Sequence, residues 1–373
     1  MELSHEDSLR LNVLLAQDLQ AIRIDESAMI VYALTAKGEA RVQLMPNCRD
    51  DRYLRYVREL FSTHALDSPG EYPIHLKGWT RMRQARAESL QGLLMLGEPE
   101  AIVAVANAPG LTEELARYAW WAMPTAEIAR SLLENTAVSK SEIGKELAQY
   151  LLEFIPFETE TLALIDSVRL VLQADLISEV ERQGLWSKGN RKSVFYLGFL
   201  HATPDALPEE AVPHPQWQEA HKSLLTLCEN NNRYAIQLCR LLSGEGQAFM
   251  ATVVMTLKKV SDQGAMVALL ISLDKYFISF RPEFELKSRT FSEIVERVNS
   301  LIEADNNNVL QVLLTRVPQL EPQIRAMLAL ACVGEKLADP VFAQTDAVGS
   351  VMRKRLLPVT EPLLESIRVL GKN

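Results

Sequence analysis

Apolar residues recur every three or four positions along most of this chain, the spacing of helices with one buried face, but the N-terminal part follows two periods. Ser4 with Asp7 three residues later, followed by a stripe of Leu11, Leu14, Leu15 and Leu19, predicts a short capped helix. The period then drops to two: residues 21–25 alternate, 29–34 are mostly apolar, and Ala40, Val42 and Leu44 alternate with Arg41 and Gln43. Gly38 can take the positive φ of a tight turn between the second and third runs. Leu54, Val57, Leu60 and Phe61 share one face of a helix over 51–66, and 72–76 reads as one more strand. Residues 1–78 are therefore expected to form a small α+β cap.

From Arg83 onward the spacing is helical, interrupted by Pro99, Pro109, Pro124, Pro156, Pro204, Pro282, Pro318, Pro340 and Pro358. A proline inside a helix costs about 3 kcal/mol, so these positions are expected at joints between helices. Thr112, Thr125 and Ser139 are the expected N-caps of the helices that follow them. Pro204, Pro208, Pro213 and Pro215 crowd residues 204–217, which read as a linker between a helical-repeat lobe at 79–203 and a C-terminal all-helical lobe at 218–373. The last lobe carries apolar periodicity over 216–228, 233–242, 248–260, 265–277, 291–301, 309–317, 323–333 and 348–356.

Within the repeat lobe, Tyr118-Ala-Trp-Trp-Ala-Met-Pro124 returns as Tyr150-Leu-Leu-Glu-Phe-Ile-Pro156, and a looser echo lies at Gln183-Gly-Leu-Trp-Ser-Lys-Gly189. Such a period belongs to stacked helix pairs. Tyr118 and Trp120 match the large apolar Tyr150 and Leu152 of the second copy, so both are expected to pack between adjacent helices instead of forming a ligand cage. Trp121 aligns with Glu153 and is expected to be partly exposed. The predicted fold is mainly α, an irregular HEAT-like α-helical repeat array with a small N-terminal α+β cap.

Composition narrows the class without naming a chemistry. Of 373 residues, 48% are hydrophobic and 23% charged. That is the balance of an ordinary soluble protein. The net charge of -9 argues against wholesale nucleic-acid binding and leaves room for local basic patches. The longest apolar run, 265–273, is too short for a bilayer, and the first residues carry Glu2, Glu6 and Asp7 with no signal-like apolar core. A cytoplasmic location with no membrane association is expected.

The six histidines fall at none of the HxxH, HExxH or HxH spacings, and Gly244-Glu-Gly246 lacks the third glycine and the Lys-Ser/Thr of a phosphate loop. No GxSxG elbow is present. No metal, cofactor or catalytic residue is therefore expected. Cys48, Cys228, Cys239 and Cys332 form no CxxC pair and read as reduced, mostly structural thiols. Cys228 and Cys239, on two consecutive helices, are the candidate reactive thiols, with buried free thiols as the plainer reading. Three basic clusters stand out: Lys77, Arg81, Arg83 and Arg86 around Trp79; Lys188, Arg191 and Lys192 beside Trp186 and Tyr196; and Arg353-Lys-Arg355. The first two are the candidate nucleic-acid or anion patch, since basic charge beside aromatics suits phosphate or single strands. The same residues also fit solvated faces at helix junctions, and convergence of the first two clusters in space would favour binding.

Several segments resemble the DsrS family, soluble proteins encoded with the reverse-acting dissimilatory sulfite reductase genes of sulfur-oxidising bacteria. They are Glu6-Asp-Ser-Leu-Arg-Leu-Asn-Val-Leu-Leu-Ala16, Ala21-Ile-Arg-Ile-Asp-Glu-Ser27, Leu115-Ala-Arg-Tyr-Ala-Trp-Trp-Ala-Met123 and Ser167-Val-Arg-Leu-Val-Leu-Gln173, mainly in the first half of the chain. The resemblance implies a cytoplasmic accessory protein supporting sulfur oxidation, and it carries no catalytic motif over. The expected function is a non-catalytic scaffold that binds a protein partner. The alternatives are an RNA-binding post-transcriptional regulator and a cysteine-based sulfur carrier or enzyme.

Overall fold

The computed structural model of the protein describes residues 3–66, 87–173, 175–280, 290–304, 308–344 and 347–371. The chain forms two compact units: Met1–Pro156 with Gln173–Ile177, and Phe157–Leu172 with Ser178–Asn373. The stretch 204–217 falls inside the second unit.

In the first unit the Ser4 side chain accepts the Asp7 backbone N–H at 3.2 Å and starts helix α1 (His5–Leu15). A serine in that place satisfies one of the donors that a helix start leaves open. Strands β1 (Leu19–Asp25), β2 (Ile30–Thr35) and β3 (Gly38–Gln43) follow as an antiparallel sheet in chain order. Ile22 pairs with Ala33 and Val31 with Val42, so the alternating apolar residues share a face and join one core with Leu11 and Leu14. Helix α2 (Asp50–Leu66) contributes Tyr53, Val57 and Phe61 to it. Gly38 has the predicted positive φ, 118°. The additional strand expected at 72–76 lies outside the described residues.

Among the described residues this unit continues with α3 (Ala87–Leu94), α4 (Pro99–Ala106), α5 (Glu113–Ala122), α6 (Ala126–Leu133), α7 (Thr136–Ser139) and α8 (Glu142–Phe154). Thr112 and Thr125 cap α5 and α6 as their sequence predicts. Ser139 does not cap α8. Its hydroxyl donates to the Thr136 carbonyl at 3.3 Å because 136–139 form a turn of their own, capped by Asn135. The two repeat copies meet directly: the Trp120 ring stands edge-on to Tyr150 at 4.8 Å, and the Tyr150 hydroxyl donates to the Pro124 carbonyl at 3.2 Å. Edge-on contact suits the charge distribution of two aromatic rings. Trp120 is buried as expected, but Tyr118 is only half-buried, with its hydroxyl donating to Glu114 at 2.6 Å.

The second unit is built from α9 (Thr161–Val171), α10 (Glu179–Lys188), α11 (Val194–Ala202), α12 (Trp217–Glu229), α13 (Arg233–Leu242), α14 (Gly244–Lys258), α15 (Gln263–Phe277), α16 (Phe291–Glu303), α17 (Asn308–Arg316), α18 (Glu321–Ala331), α19 (Asp339–Phe342) and α20 (Gly349–Leu370). Helix α11 is apolar all round and buried from Val194 to Leu200, packed by α9, α14 and α15. A side chain at Gly198 would collide with Val168, so the missing Cβ lets α9 and α11 close together.

One expectation fails in α20. The sequence places a joint at Pro358, yet the helix runs through Pro358 and Pro362 to Leu370. Its buried stripe of Met352, Leu356, Val359, Leu363, Ile367 and Leu370 keeps helical spacing across both prolines and packs on α14 and α18. That burial, of order 1.5–3 kcal/mol for each large side chain, outweighs the roughly 3 kcal/mol cost of each proline. The fold as a whole is mainly α, an irregular HEAT-like helical array with a small N-terminal α+β cap.

Candidate functional site

Helix α14 is apolar on two faces. Phe249, Met250, Val253 and Leu257 are buried, while Ala251, Val254, Met255 and Lys258 recur at three- and four-residue steps on the opposite, solvent-facing side. That second stripe floors a groove of about 730 Å3. One wall is the end of α20 with Ile367 and Arg368; the other is Ala211 and Val212 from the proline-rich stretch.

The proline-rich stretch is held in place by strong local contacts. Asp205 receives two hydrogen bonds of 2.6 Å from the Arg240 guanidinium, a charged bidentate pair. The same guanidinium lies 3.7 Å over the Tyr276 ring, where the negative face of the ring attracts it. Tyr276 stacks on Phe249 at 3.8 Å. Burial holds the Tyr276 phenol far above the usual pKa. Farther along, the His214 backbone N–H donates to the Leu242 carbonyl at 3.0 Å. Gly244 allows the close passage, since a Cβ there would come within 2.6 Å of the Ala211 carbonyl oxygen. The Gly244-Glu-Gly246 segment thus opens a helix against this strap. Beneath the groove, the buried Gln247 amide donates to the carbonyls of Leu241 and Leu370 at 2.9 and 3.0 Å, tying α14 to the end of α20.

The second and third basic clusters converge at the far end of α14. The Lys259 ammonium donates to the Asn190 carbonyl at 3.3 Å, Ser193 donates to the Lys259 carbonyl at 3.3 Å, and Arg353 donates to the Val260 carbonyl at 3.0 Å. Lys188, Arg191 and Lys192 on the α10–α11 turn are exposed there, with Lys258, Lys259 and Lys354 also facing solvent. The carboxylate nearest in sequence, Asp262, is occupied. Burial pushes its carboxyl up, but hydrogen bonds from Ser261, the Ala265 and Gly264 N–H groups and Thr161 outweigh this and hold it below the usual carboxylate pKa. The aromatics of this cluster face inward. Trp186 packs on Tyr196 at 4.6 Å and on Phe199 at 5.0 Å, and both Trp186 and Tyr196 are buried. Lys77, Arg81, Arg83 and Arg86 lie outside the described residues.

Trp121 is half-buried and forms no open cage. Its ring and that of Tyr32 flank the Arg23 guanidinium at 5.0 and 4.7 Å, while its indole N–H donates to Glu39 at 3.0 Å. The four cysteines are free thiols. Cys228 and Cys239 are half-buried, with their sulfurs 3.5 Å apart, and Cys332 is buried. Burial, with the Cys228 thiol beside it, pushes the Cys239 thiol up to about 12. Among the described residues no three His, Cys, Asp or Glu side chains are grouped to hold a metal ion, and no helix is long and apolar enough to cross a membrane.

Sequence periodicity finds α14 but misses its groove, because the walls come from segments far apart in the chain. The available signal was the second apolar stripe: a helix apolar on both faces buries one against its own core and offers the other. Similarly, the short turn at 230–232 between α12 and α13 hints that Cys228 and Cys239 approach each other. The fold and groove together define a helical-repeat protein with a basic-rimmed apolar cleft. No family model, curated protein or solved structure matches the chain.

Proposed function

We propose that the protein is a non-catalytic cytoplasmic accessory or scaffold protein that binds a protein partner through the α14 groove. The observation carrying this reading is the groove itself: an apolar floor of Ala251, Val254 and Met255 with Lys258 and Arg368 at its rim. Such a surface fits an amphipathic helix whose apolar face is flanked by acidic residues, and methionine adapts to imperfectly matched side chains. The resemblance to DsrS proteins supports a place for that partner in dissimilatory sulfur oxidation, in the production or assembly of the sulfite reductase system.

Cross-linking with mass spectrometry in the native host, comparing the wild-type chain with Val254→Glu/Met255→Glu, tests the reading. The wild type is expected to link one protein reproducibly through residues around the groove. The double variant is expected to lose at least about tenfold in affinity for that protein, because it places two unpaired charges on the floor. A wild-type chain that stays partner-free removes the scaffold reading. Unchanged linking by the variant moves the interface elsewhere.

A second reading, an RNA-binding post-transcriptional regulator, is favoured by the convergence of Lys188, Arg191 and Lys192 with Lys259 and Arg353. The inward-facing aromatics leave this patch with phosphate contacts and without stacking. In the same experiments, Arg191→Glu/Lys192→Glu is expected to weaken RNA binding and flatten its salt dependence under this reading, and to leave a groove-bound protein attached.

A further inference from the structure

The Cys228 and Cys239 sulfurs lie 3.5 Å apart in free thiol form, in a geometry fixed by the turn between their helices. Cys228 sits in the last turn of α12 and Cys239 in the second turn of α13. Asn230 and Asn232 lock the connection. The Asn230 amide donates to the Thr226 carbonyl at 2.8 Å, the Asn232 N–H donates to the Leu227 carbonyl at 2.9 Å, and the Asn232 side chain accepts the Tyr234 and Ala235 N–H groups at 3.1 Å each. Asn231 takes a left-handed φ of 56°. Asparagine tolerates that conformation better than most residues, which lets so short a link reverse the chain.

A disulfide needs its sulfurs about 2.05 Å apart, so closure asks for an approach of about 1.5 Å, within the reach of rotation about the two Cα–Cβ bonds. Both side chains are half-buried, which leaves an external reagent a path to the pair. We propose that Cys228 and Cys239 form a redox-active dithiol that exchanges stoichiometrically with a low-molecular-weight disulfide, passing from two thiols to an internal disulfide. This activity is independent of the groove and of any partner bound there.

Cys228 gives up its proton, and its thiolate attacks one sulfur of the external disulfide, forming a mixed disulfide and releasing the first thiol, which takes up the proton. Cys239 then loses its proton and attacks the Cys228 sulfur, forming the Cys228–Cys239 bond and releasing the second thiol. Two electrons pass from the protein to the external disulfide, and two protons leave with the two thiols. Burial of the Cys239 thiol disfavours it as the first nucleophile, so the first attack falls to Cys228 and Cys239 closes the internal bond.

The test uses the full chain equilibrated in buffers of reduced and oxidised glutathione, trapped by alkylation and read by intact and peptide mass. In the wild type, two thiols are expected to vanish together with the loss of two hydrogens, and digestion is expected to yield a linked Cys228–Cys239 peptide pair. The Cys239→Ser variant is expected to stop at a chain carrying one glutathione on Cys228, and Cys228→Ser to react more slowly by about tenfold or more. Circular dichroism identifies folded samples, and Cys239→Ala replaces any serine variant that unfolds. A folded wild type that keeps both thiols alkylatable across the whole range, or that accumulates glutathione adducts without the internal bond, overturns the proposal.

Discussion

For single residues, burial of groups that prefer charge in water makes the chain sensitive to acid. His201 is mostly buried, its ring Nε2 lying 2.8 Å from the Ala268 carbonyl and donating to it. Burial lowers its pKa below the usual 6.5, and the bond to Ala268 only partly opposes this. His214 is likewise lowered by burial, and its Nδ1 accepts the Gln216 N–H at 3.2 Å. A histidine whose folded pKa lies below its unfolded value binds protons preferentially in the unfolded chain. Stability is therefore full above pH 6.5 and is lost as pH falls from 6.5 through the folded pKa values. Each unit by which burial lowers the His201 pKa contributes about 1.4 kcal/mol to that loss. Urea unfolding at stepped pH is expected to show the decline, and His201→Gln to flatten it; a variant slope identical to wild type would contradict the assignment.

One level up, among helices and strands, capping and periodicity translate directly into structure where the governing contacts are local. Ser4, Thr112 and Thr125 cap the helices they precede, and Gly38 turns β2 into β3. The departures come from contacts that are distant in sequence. Helix α20 runs through two prolines because its apolar stripe stays packed on α14 and α18, and Gly198 is set by the approach of α9. Gly198 also yields a clear prediction. Although alanine is the better helix former by about 1 kcal/mol, Gly198→Ala is expected to destabilise the protein by roughly 1–3 kcal/mol, because its Cβ must displace Val168. Chemical denaturation of the variant measures this, and a gain in stability would show that propensity outweighs packing here.

In the molecule as a whole, the chain passes between its two units more than once. Residues 157–172 belong to the second unit, 173–177 return to the first, and 178 onward belong to the second again. Helix α9 lies in the first of these passages and packs on α11 and α15 in the second unit's core. The Gln173 amide, in turn, donates to the Leu133 carbonyl of the first unit at 3.0 Å. A fragment of 157–373 is accordingly expected to unfold cooperatively by circular dichroism, whereas 178–373, which lacks α9, is expected to lose that transition. Equal cooperativity in the two fragments would show that α9 is dispensable.

Read without its fold, the chain already specifies the three strands, the helical spacing from Arg83 onward and the caps Ser4, Thr112 and Thr125, a minority of the side-chain caps the described residues show. These depend on period, capping and turn chemistry within a few residues, and such information is local. The small inventory of chemistry is legible in the same way, with two neighbouring thiols and the basic clusters as the candidates. Which of them meet is settled in three dimensions. The groove needs α14, α20 and a strap held by Arg240 and Asp205; the basic patch needs the α10–α11 turn beside Lys259 and Arg353; the dithiol needs the turn at 230–232 to bring two helices together. The groove and the patch depend on the packing of large apolar side chains between segments far apart in the chain, and periodicity records which residues seek burial without recording against what.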